Sequence, residues 1–352
     1  MKLFTPFKVR EIELKNRVAV SPMCEYSAKD GHPQPWHMVH LGSRAVGGAG
    51  LVMTEASAVE ERGRISAADA GIYDDAHIAS WSPITEFVKG QGAAVGMQLA
   101  HAGRKASTAP PWTGGKPVSV ADGGWEPVAP SATPFDAGYN VPHALTVSEI
   151  RTIVAAFRKS AERALAAGFQ LVEIHGAHGY LIHEFLSSLS NSRSDEYGGG
   201  FDNRIRFALE VTSAVREAWP ERLPLFFRVS ATDWVDGGWD LEQSIELSRR
   251  LKALGVDLID ASSGGVVPQA KIPVGPGYQV GFAEAIRKQA GIATGAVGMV
   301  TDPAQADTIL ATEQADLVFL AREMLRDPYW PRRAAKALDV KIAGPLQYGR
   351  AW

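Results

Sequence analysis

Leu171-Val-Glu-Ile-His-Gly-Ala-His-Gly-Tyr180 is the stretch that decides how this chain is read. Its first four residues form a short apolar run of the kind a buried strand makes. Its last six, His175-Gly-Ala-His178-Gly-Tyr180, set two imidazoles and a phenol where such a strand ends and a loop begins. Each side chain can donate a hydrogen bond and relay a proton. The trio therefore suits an oxyanion or a carbonyl oxygen with an acid beside it. A zinc-ligand pair and polar groups satisfied locally in a loop are the competing readings.

Outward from that run the chain is helical on both sides. Upstream, Thr146-Val-Ser-Glu149 is a capping-box pattern, and Ile150, Ile153, Val154, Phe157 and Ala161 recur at helical spacing until Gly168. Downstream, the loop Asn191-Ser-Arg-Ser-Asp-Glu-Tyr-Gly-Gly-Gly200 leads into a helix predicted over 203–219. The same strand-then-helix unit recurs along the chain. Strands are predicted at 17–22, 51–56, 94–100, 171–174, 225–230, 258–261, 293–297 and 317–321. Further helices are predicted over 37–45, 78–91, 241–254, 282–289, 303–311 and 331–338.

Eight such units in 352 residues predict an α/β fold, a (β/α)8 TIM barrel, as one domain over 1–352. A doubly wound sheet is the alternative, but no Gly-rich dinucleotide fingerprint follows the first strand. Residues 7–14 alternate like a small hairpin that closes the barrel's bottom. Residues 102–147, rich in Pro, Gly and Trp, are too long for a plain connection and predict a capping excursion with a short hairpin of its own. Residues 339–352 form a C-terminal tail.

Composition narrows the function. Hydrophobic residues make up 45% of the chain and charged residues 21%, and the formal net charge is −3. No basic stripe points to nucleic acid, and no apolar run has the length of a membrane span. Met1-Lys-Leu-Phe-Thr-Pro-Phe7 has no signal-peptide core, and the single cysteine, Cys24, has no internal partner. Both point to the cytoplasm.

In a barrel of this kind the C-terminal strand ends carry the chemistry. Here those ends hold Ser21, Pro22, Met23, Cys24 and Tyr26 after strand one and Glu55, Ala56 and Ser57 after strand two. Strand three gives Gln98 and His101, with Arg104 and Lys105 beyond. Strand five gives Arg228 and Ser230, and strand six gives Ser262, Ser263 and Gly264. Strands seven and eight give Gly295, Gly298, Ala321 and Arg322. Gly-rich turns after the last two strands, with an arginine, suit a phosphate. Gln98 and Arg228 suit the heteroatoms of a planar ring.

With those residues in place, the sequence closely resembles the Old Yellow Enzyme family of FMN-dependent ene-reductases. Within it, the chain is similar to the bacterial thermophilic-like subclass of NADPH dehydrogenases and xenobiotic reductases. The motifs are Ser21-Pro-Met-Cys24 with Tyr26, Gln98-Leu-Ala-His-Ala-Gly-Arg-Lys105, His175 to Tyr180, residues 187–199, Arg228-Val-Ser230, Thr294-Gly-Ala-Val-Gly298, Ala321-Arg322 and Gln347-Tyr-Gly-Arg-Ala-Trp352.

The resemblance implies that Ser21, Pro22, Met23, Cys24, Ala56, Gln98, Arg228, Ser263, Gly264, Gly298, Ala321 and Arg322 hold FMN. It implies that Cys24 tunes the flavin, that His175 and His178 bind a carbonyl or nitro oxygen, and that Tyr180 delivers the proton. Tyr26 would line the pocket. Arg350 and Trp352 would reach a neighbouring subunit's site in a homodimer or homotetramer.

The implied reaction is ping-pong, with NADPH or NADH as reductant and an activated alkene as second substrate. Two departures stand out. Ala321 replaces the glycine the family often has before the phosphate-binding arginine, and residues 109–127 are longer than in the shortest members, as in xenobiotic reductases. Two other classes compete: a metal-dependent hydrolase built on His101, His175 and His178, and a flavin-storage protein without catalysis.

Overall fold

The structure, a computed structural model, describes residues 1–351. Its centre is a closed barrel of parallel strands: β1 (Val18–Val20), β2 (Leu51–Ala58), β3 (Ala94–Ala100), β4 (Leu171–Gly176), β5 (Leu225–Ser230), β6 (Leu258–Ser262), β7 (Ala293–Ala296) and β8 (Leu317–Leu320). The strands pair in sequence order, and β8 closes onto β1 through Val318–Val18, Phe319–Ala19 and Leu320–Val20. The expected TIM barrel is the architecture found.

The helices that follow the strands are α1 (Pro35–Val46), α2 (Ala76–Gly90), α3 (Val147–Ala166), α4 (Arg206–Ala218), α5 (Leu241–Ala253), α6 (Val280–Ala290), α7 (Pro303–Ala311) and α8 (Trp330–Ala337). The capping box opens α3 as the sequence predicts: Thr146 Oγ1 accepts from Glu149 N–H, and Thr146 N–H donates to the Glu149 carboxylate at 2.8 Å. The helix predicted over 203–219 is two pieces, Phe201–Arg204 and α4, broken at Ile205. Two short helices escaped prediction, Leu181–Leu186 and Arg322–Arg326. Each is too short to show an apolar period.

Alternation along each strand sorts the barrel lumen into layers. At the bottom, Leu51, Leu171, Phe226, Leu258 and Leu317 pack together with Val9 and Leu14. The last two belong to an antiparallel pair, Phe7–Val9 with Ile12–Leu14, so the predicted N-terminal hairpin does plug the floor. One step up, the same strand faces carry Gln98, Glu173, Arg228 and Asp260, all buried. Neighbouring registers set them side by side: Gln98 opposite Glu173, and Arg228 opposite Asp260. Two residues further along, Ser21, His175, Ser230 and Ser262 form the upper layer.

The excursion after β3 is anchored rather than loose. Val118 N–H donates to Ser107 C=O at 2.7 Å, and Ala109 N–H to Lys116 C=O at 2.8 Å, so its tip closes on itself. Between those rungs Thr108 bridges Pro117 antiparallel, the short hairpin expected of the excursion. Val128–Ala129 pairs with His143–Ala144 in parallel.

Arg104 and Lys105, which sequence alone leaves between a solvated rim and a substrate or cofactor contact, are interior ties. Arg104 donates to Thr133 C=O at 3.2 Å and to Val266 C=O at 2.6 Å. Lys105 Nζ donates to His178 C=O at 2.8 Å and to Gly265 C=O at 3.1 Å.

Behind Arg104 lies Glu184, fully buried, with Oε1 accepting Arg104 N–H at 2.8 Å and Oε2 without a partner. Burial pushes its carboxyl up to about 8. In the unfolded chain a glutamate ionises near ~4.3. Folding therefore takes up a proton between those values, and stability falls as pH rises through that window. Glu184→Gln removes the loss. Its stability relative to the native chain is expected to rise with pH, by about 5 kcal/mol at the alkaline end. Urea melts across pH measure this, and a difference that does not change with pH would contradict it.

Candidate active site at the open end of the barrel

The β4 strand delivers His175 at its end, beside Arg228 on β5. His175 Nδ1 accepts Ala177 N–H at 3.2 Å. That fixes the tautomer of a neutral ring, with the proton on Nε2, which has no hydrogen-bond partner among the described residues. The chain then turns through His178 at φ 60° and Gly179 at φ 72°. A left-handed non-glycine residue costs about 1–3 kcal/mol and persists only where its surroundings hold it.

Here they do. His178 N–H donates to Ser230 Oγ at 2.9 Å, Lys105 grips His178 C=O, and Gly179 N–H donates to His183 Nδ1 at 2.9 Å. His183 in turn bonds Asp233 at 2.8 Å, and Ser187 donates to the other Asp233 oxygen at 2.6 Å. A Cβ on Gly179 would come 2.0 Å from Gly265 C=O, so the turn also requires glycine.

The turn brings three rings together. His175 lies 5.1 Å from the His178 ring and 5.0 Å from the Tyr180 ring, edge to face in both cases. Burial holds both imidazoles well below their usual range, and the nearby Arg228 charge adds to this. Both are therefore neutral at physiological pH. Burial pushes the Tyr180 phenol well above its usual range, so it keeps its proton. His178 Nε2 is not free: it bonds Ser262 Oγ at 2.7 Å. One of the two expected oxygen-binding donors is open, and the other is held by a hydroxyl.

Below and beside this trio runs a cavity of about 320 Å³. Ser21, Pro22, His178, Arg228, Gly298, Ala321 and Arg322 all line it. At its inner end Arg228 donates to Asp260 Oδ2 at 2.7 Å and to Ser21 Oγ at 2.6 Å. At its outer end Arg322 has no carboxylate partner among the described residues. Gly298 has φ 129°, and a Cβ there would crowd Gln279 at 3.1 Å. Ala321 sits at φ −98°, outside the left-handed region that favours glycine. A planar polar ring near Gln98 and Arg228 with an anionic group at Arg322 fits this shape, and FMN has both parts.

On the other side of Tyr180 is an apolar patch of Ile65, Ala102 and Ala106, with Cys24, Tyr26, Trp125 and Tyr180 packed on it. Trp112 closes edge-on against Tyr26 at 5.8 Å. Burial raises the Cys24 thiol well above its usual range, with Asp69 and Glu55 adding to the effect, so it is a neutral thiol and no nucleophile. Ala56 lines a small pocket with Tyr180 and the buried Asp69.

The remaining predicted residues do not line the cavity itself. Met23 packs on the main core. Ser263 donates to Gln279 Oε1 at 2.6 Å, and Gly264 N–H to Thr232 C=O. Arg350 is exposed at the end of a tail whose residues 341–347 line a groove with Lys15, Asn16 and Gln91, at the opposite end of the barrel. Trp352 lies outside the described residues. His101 does not join the other histidines. Its Nε2 bonds Glu60 at 2.8 Å and its Nδ1 accepts Gly103 N–H at 3.0 Å, which leaves no nitrogen for a metal.

Sequence reasoning missed Glu173, Asp260, His183 and Asp233. The first two had a signal. Each stands two residues before a predicted site residue on one strand, hence on the same face. His183 and Asp233 meet only through the tertiary fold.

The chain is similar to known proteins over its whole length. The chain matches the NADH:flavin oxidoreductase / NADH oxidase family over residues 2–341. It is 54% identical to an NADPH dehydrogenase of Bacillus licheniformis, over 100% of this chain and 99% of the relative. It is 50% identical to an NADPH dehydrogenase of Bacillus subtilis, with the same shares covered. Among solved structures, morphinone reductase in complex with tetrahydroNAD superposes with a TM-score of 0.79 at 28% identity, covering 97% of this chain and 92% of that one. A 2-naphthoyl-CoA reductase complex superposes with a TM-score of 0.86 at 26% identity, covering 96% of this chain. The chain spans about half of that larger enzyme, 52%.

Proposed function

Since the chain belongs to the Old Yellow Enzyme family, within the NADH:flavin oxidoreductase / NADH oxidase group, we propose that it is an ene-reductase acting on activated alkenes. It is an FMN oxidoreductase that takes its electrons from NADPH or NADH. FMN, when bound, supplies the chemistry that accepts a hydride from the nicotinamide and passes it to the alkene's β-carbon.

The protein's part is orientation and charge. The observation that carries the reading is the unpaired Nε2–H of neutral His175, 5.0 Å ring to ring from a phenol that keeps its proton. A substrate carbonyl oxygen accepts from His175 Nε2–H, and His178 exchanges the Ser262 hydroxyl for the same oxygen. Two neutral donors stabilise the enolate-like charge that grows there without surrendering a proton to it. Tyr180 then gives its hydroxyl proton to the α-carbon. The nicotinamide and the alkene use one pocket in turn, a ping-pong order.

Ser21 to Cys24, Ala56, Gln98, Arg228, Ser263, Gly264, Gly298, Ala321 and Arg322 hold the cofactor in this reading, with Cys24 beside the ring as a neutral thiol. Tyr26 lines the substrate side, and nitro compounds and other xenobiotics offer oxygens to the same donors. The whole chain acts as one domain capped by residues 102–147. It works in the cytoplasm as a homodimer or homotetramer. Arg350 at the exposed tail, remote from its own site, is free to reach a neighbour's.

The test is anaerobic. The yellow protein is expected to bleach with NADPH or NADH and to recover its colour with 2-cyclohexenone. Bleaching without recovery would remove alkenes as the substrate class, and a protein that never bleaches would be a flavin store.

A further inference from the structure

We infer that Glu173 is a carboxylic acid in the resting protein, and that its proton keeps the layer of the barrel beneath the cofactor ring electrically neutral. The inference rests on the reading above, in which FMN lies over Arg228.

The argument is one of counting charges in a sealed layer. Glu173, Asp260 and Arg228 face one another in the lumen, with side chains 0%, 0% and 5% exposed. Two carboxyl groups share one guanidinium. Asp260 takes the direct pair: Arg228 Nε donates to its Oδ2 at 2.7 Å, and Nη2 lies 2.6 Å from the same oxygen. Glu173 has only the Gln98 amide, which donates to Oε1 at 2.8 Å, and a remote Arg228 contact at 3.9 Å.

The other oxygen of each acid, Glu173 Oε2 and Asp260 Oδ1, has no partner among the described residues. If both acids were ionised, the layer would carry a net negative charge and two bare acceptors out of reach of water, an arrangement proteins avoid. A proton on Glu173 removes the excess charge and turns one bare acceptor into a donor.

The surroundings favour Glu173 as the holder. The apolar bottom layer lies below it, neutral His175 lies two residues above it, and β3 offers only an uncharged amide. Burial first, and the Asp260 charge second, raise its carboxyl, while Arg228 opposes them. Burial also raises Asp260, but there the Arg228 pair and its hydrogen bond pull the other way.

The consequence concerns the bound cofactor's readiness to accept electrons. With Glu173 protonated, the Arg228 charge is balanced once, by Asp260. Ionising Glu173 places a second negative charge under the ring and makes reduction harder.

Two readouts, neither needing an alkene, test this. In the infrared difference spectrum between oxidised and reduced native holoprotein at neutral pH, a carbonyl-stretch band of a protonated carboxyl is expected. Isotopic labelling of glutamate side-chain carboxyls should move it, and labelling of aspartate should not. The band should vanish in Glu173→Gln and persist in Glu184→Gln. The second readout is the midpoint potential of the bound flavin. Native and Glu173→Gln proteins should run parallel near neutrality, with the native potential falling more steeply above it.

A band that moves with aspartate labelling overturns the inference, and so do pH profiles that coincide throughout. A glutamate band present in the static native-minus-variant spectrum but absent from the redox difference would leave the proton in place and refute the position of the cofactor. Because the labelling arm uses native protein, a variant that fails to fold does not spoil the test.

Discussion

Tyr180→Phe protein is expected to bleach with NADPH at close to the native rate and to be reoxidised by 2-cyclohexenone about 10²–10⁴-fold more slowly. The substitution keeps the ring that packs edge-on against His175 and under the Lys105 ammonium, 5.1 Å from its centroid, and removes only the hydroxyl. The nicotinamide step needs no proton from the protein, so the two half-reactions separate. Stopped-flow mixing under anaerobic conditions measures each alone.

Because burial raises the Tyr180 phenol well above its ordinary range, the acid form persists through physiological pH. The native reoxidation rate should therefore show no loss from this group as pH rises through neutrality. Unchanged reoxidation in Tyr180→Phe would send the search for the acid elsewhere.

The second large effect concerns the oxygen donors. Removing one preorganised donor to a developing oxyanion typically costs about 10²–10³ in rate. His175→Ala with His178→Ala should reach or exceed that for enone reduction, with the pair acting less than additively because both serve one oxygen. Flavin content should hold, since the ring-side contacts of Arg228 to Ser21 and Asp260 remain. Titration with a phenol, which offers the same oxygen, reads binding directly. Loss of flavin from the double variant would mean that these histidines serve the cofactor instead.

Much of the fold was legible because its signals are local. Eight apolar runs, the Thr146–Glu149 box and the period of α3 can each be read from a few neighbouring residues. Where local signals fail, the reading failed too. The parallel pairing of Val128–Ala129 with His143–Ala144 left no local signal, because strands two residues long show no period. Arg104 and Lys105 stayed open between a rim and a ligand contact because their acceptors are backbone carbonyls 29 to 162 positions away.

At the site, the residue types at strand ends announced a trio suited to an oxygen. The tautomer of His175 and the engagement of His178 by Ser262 depend on atoms that no motif encodes. Glu173 and Asp260 were overlooked for a different reason. Inside an apolar strand, a lone acid reads as an irregularity until the opposing strands supply its neighbours.

The self-closed tip of the excursion has a practical meaning. Between the Ser107–Val118 and Ala109–Lys116 rungs the backbone returns to its starting point, so residues 110–115 hang from a fixed hinge pair. The donors and the acid are fastened separately, by Lys105, His183 and Ser230. A designer, or natural selection, can lengthen, shorten or replace that tip, and Trp112 with it, as an interchangeable part. Substrate range can therefore diversify while the hydride chemistry is inherited unchanged.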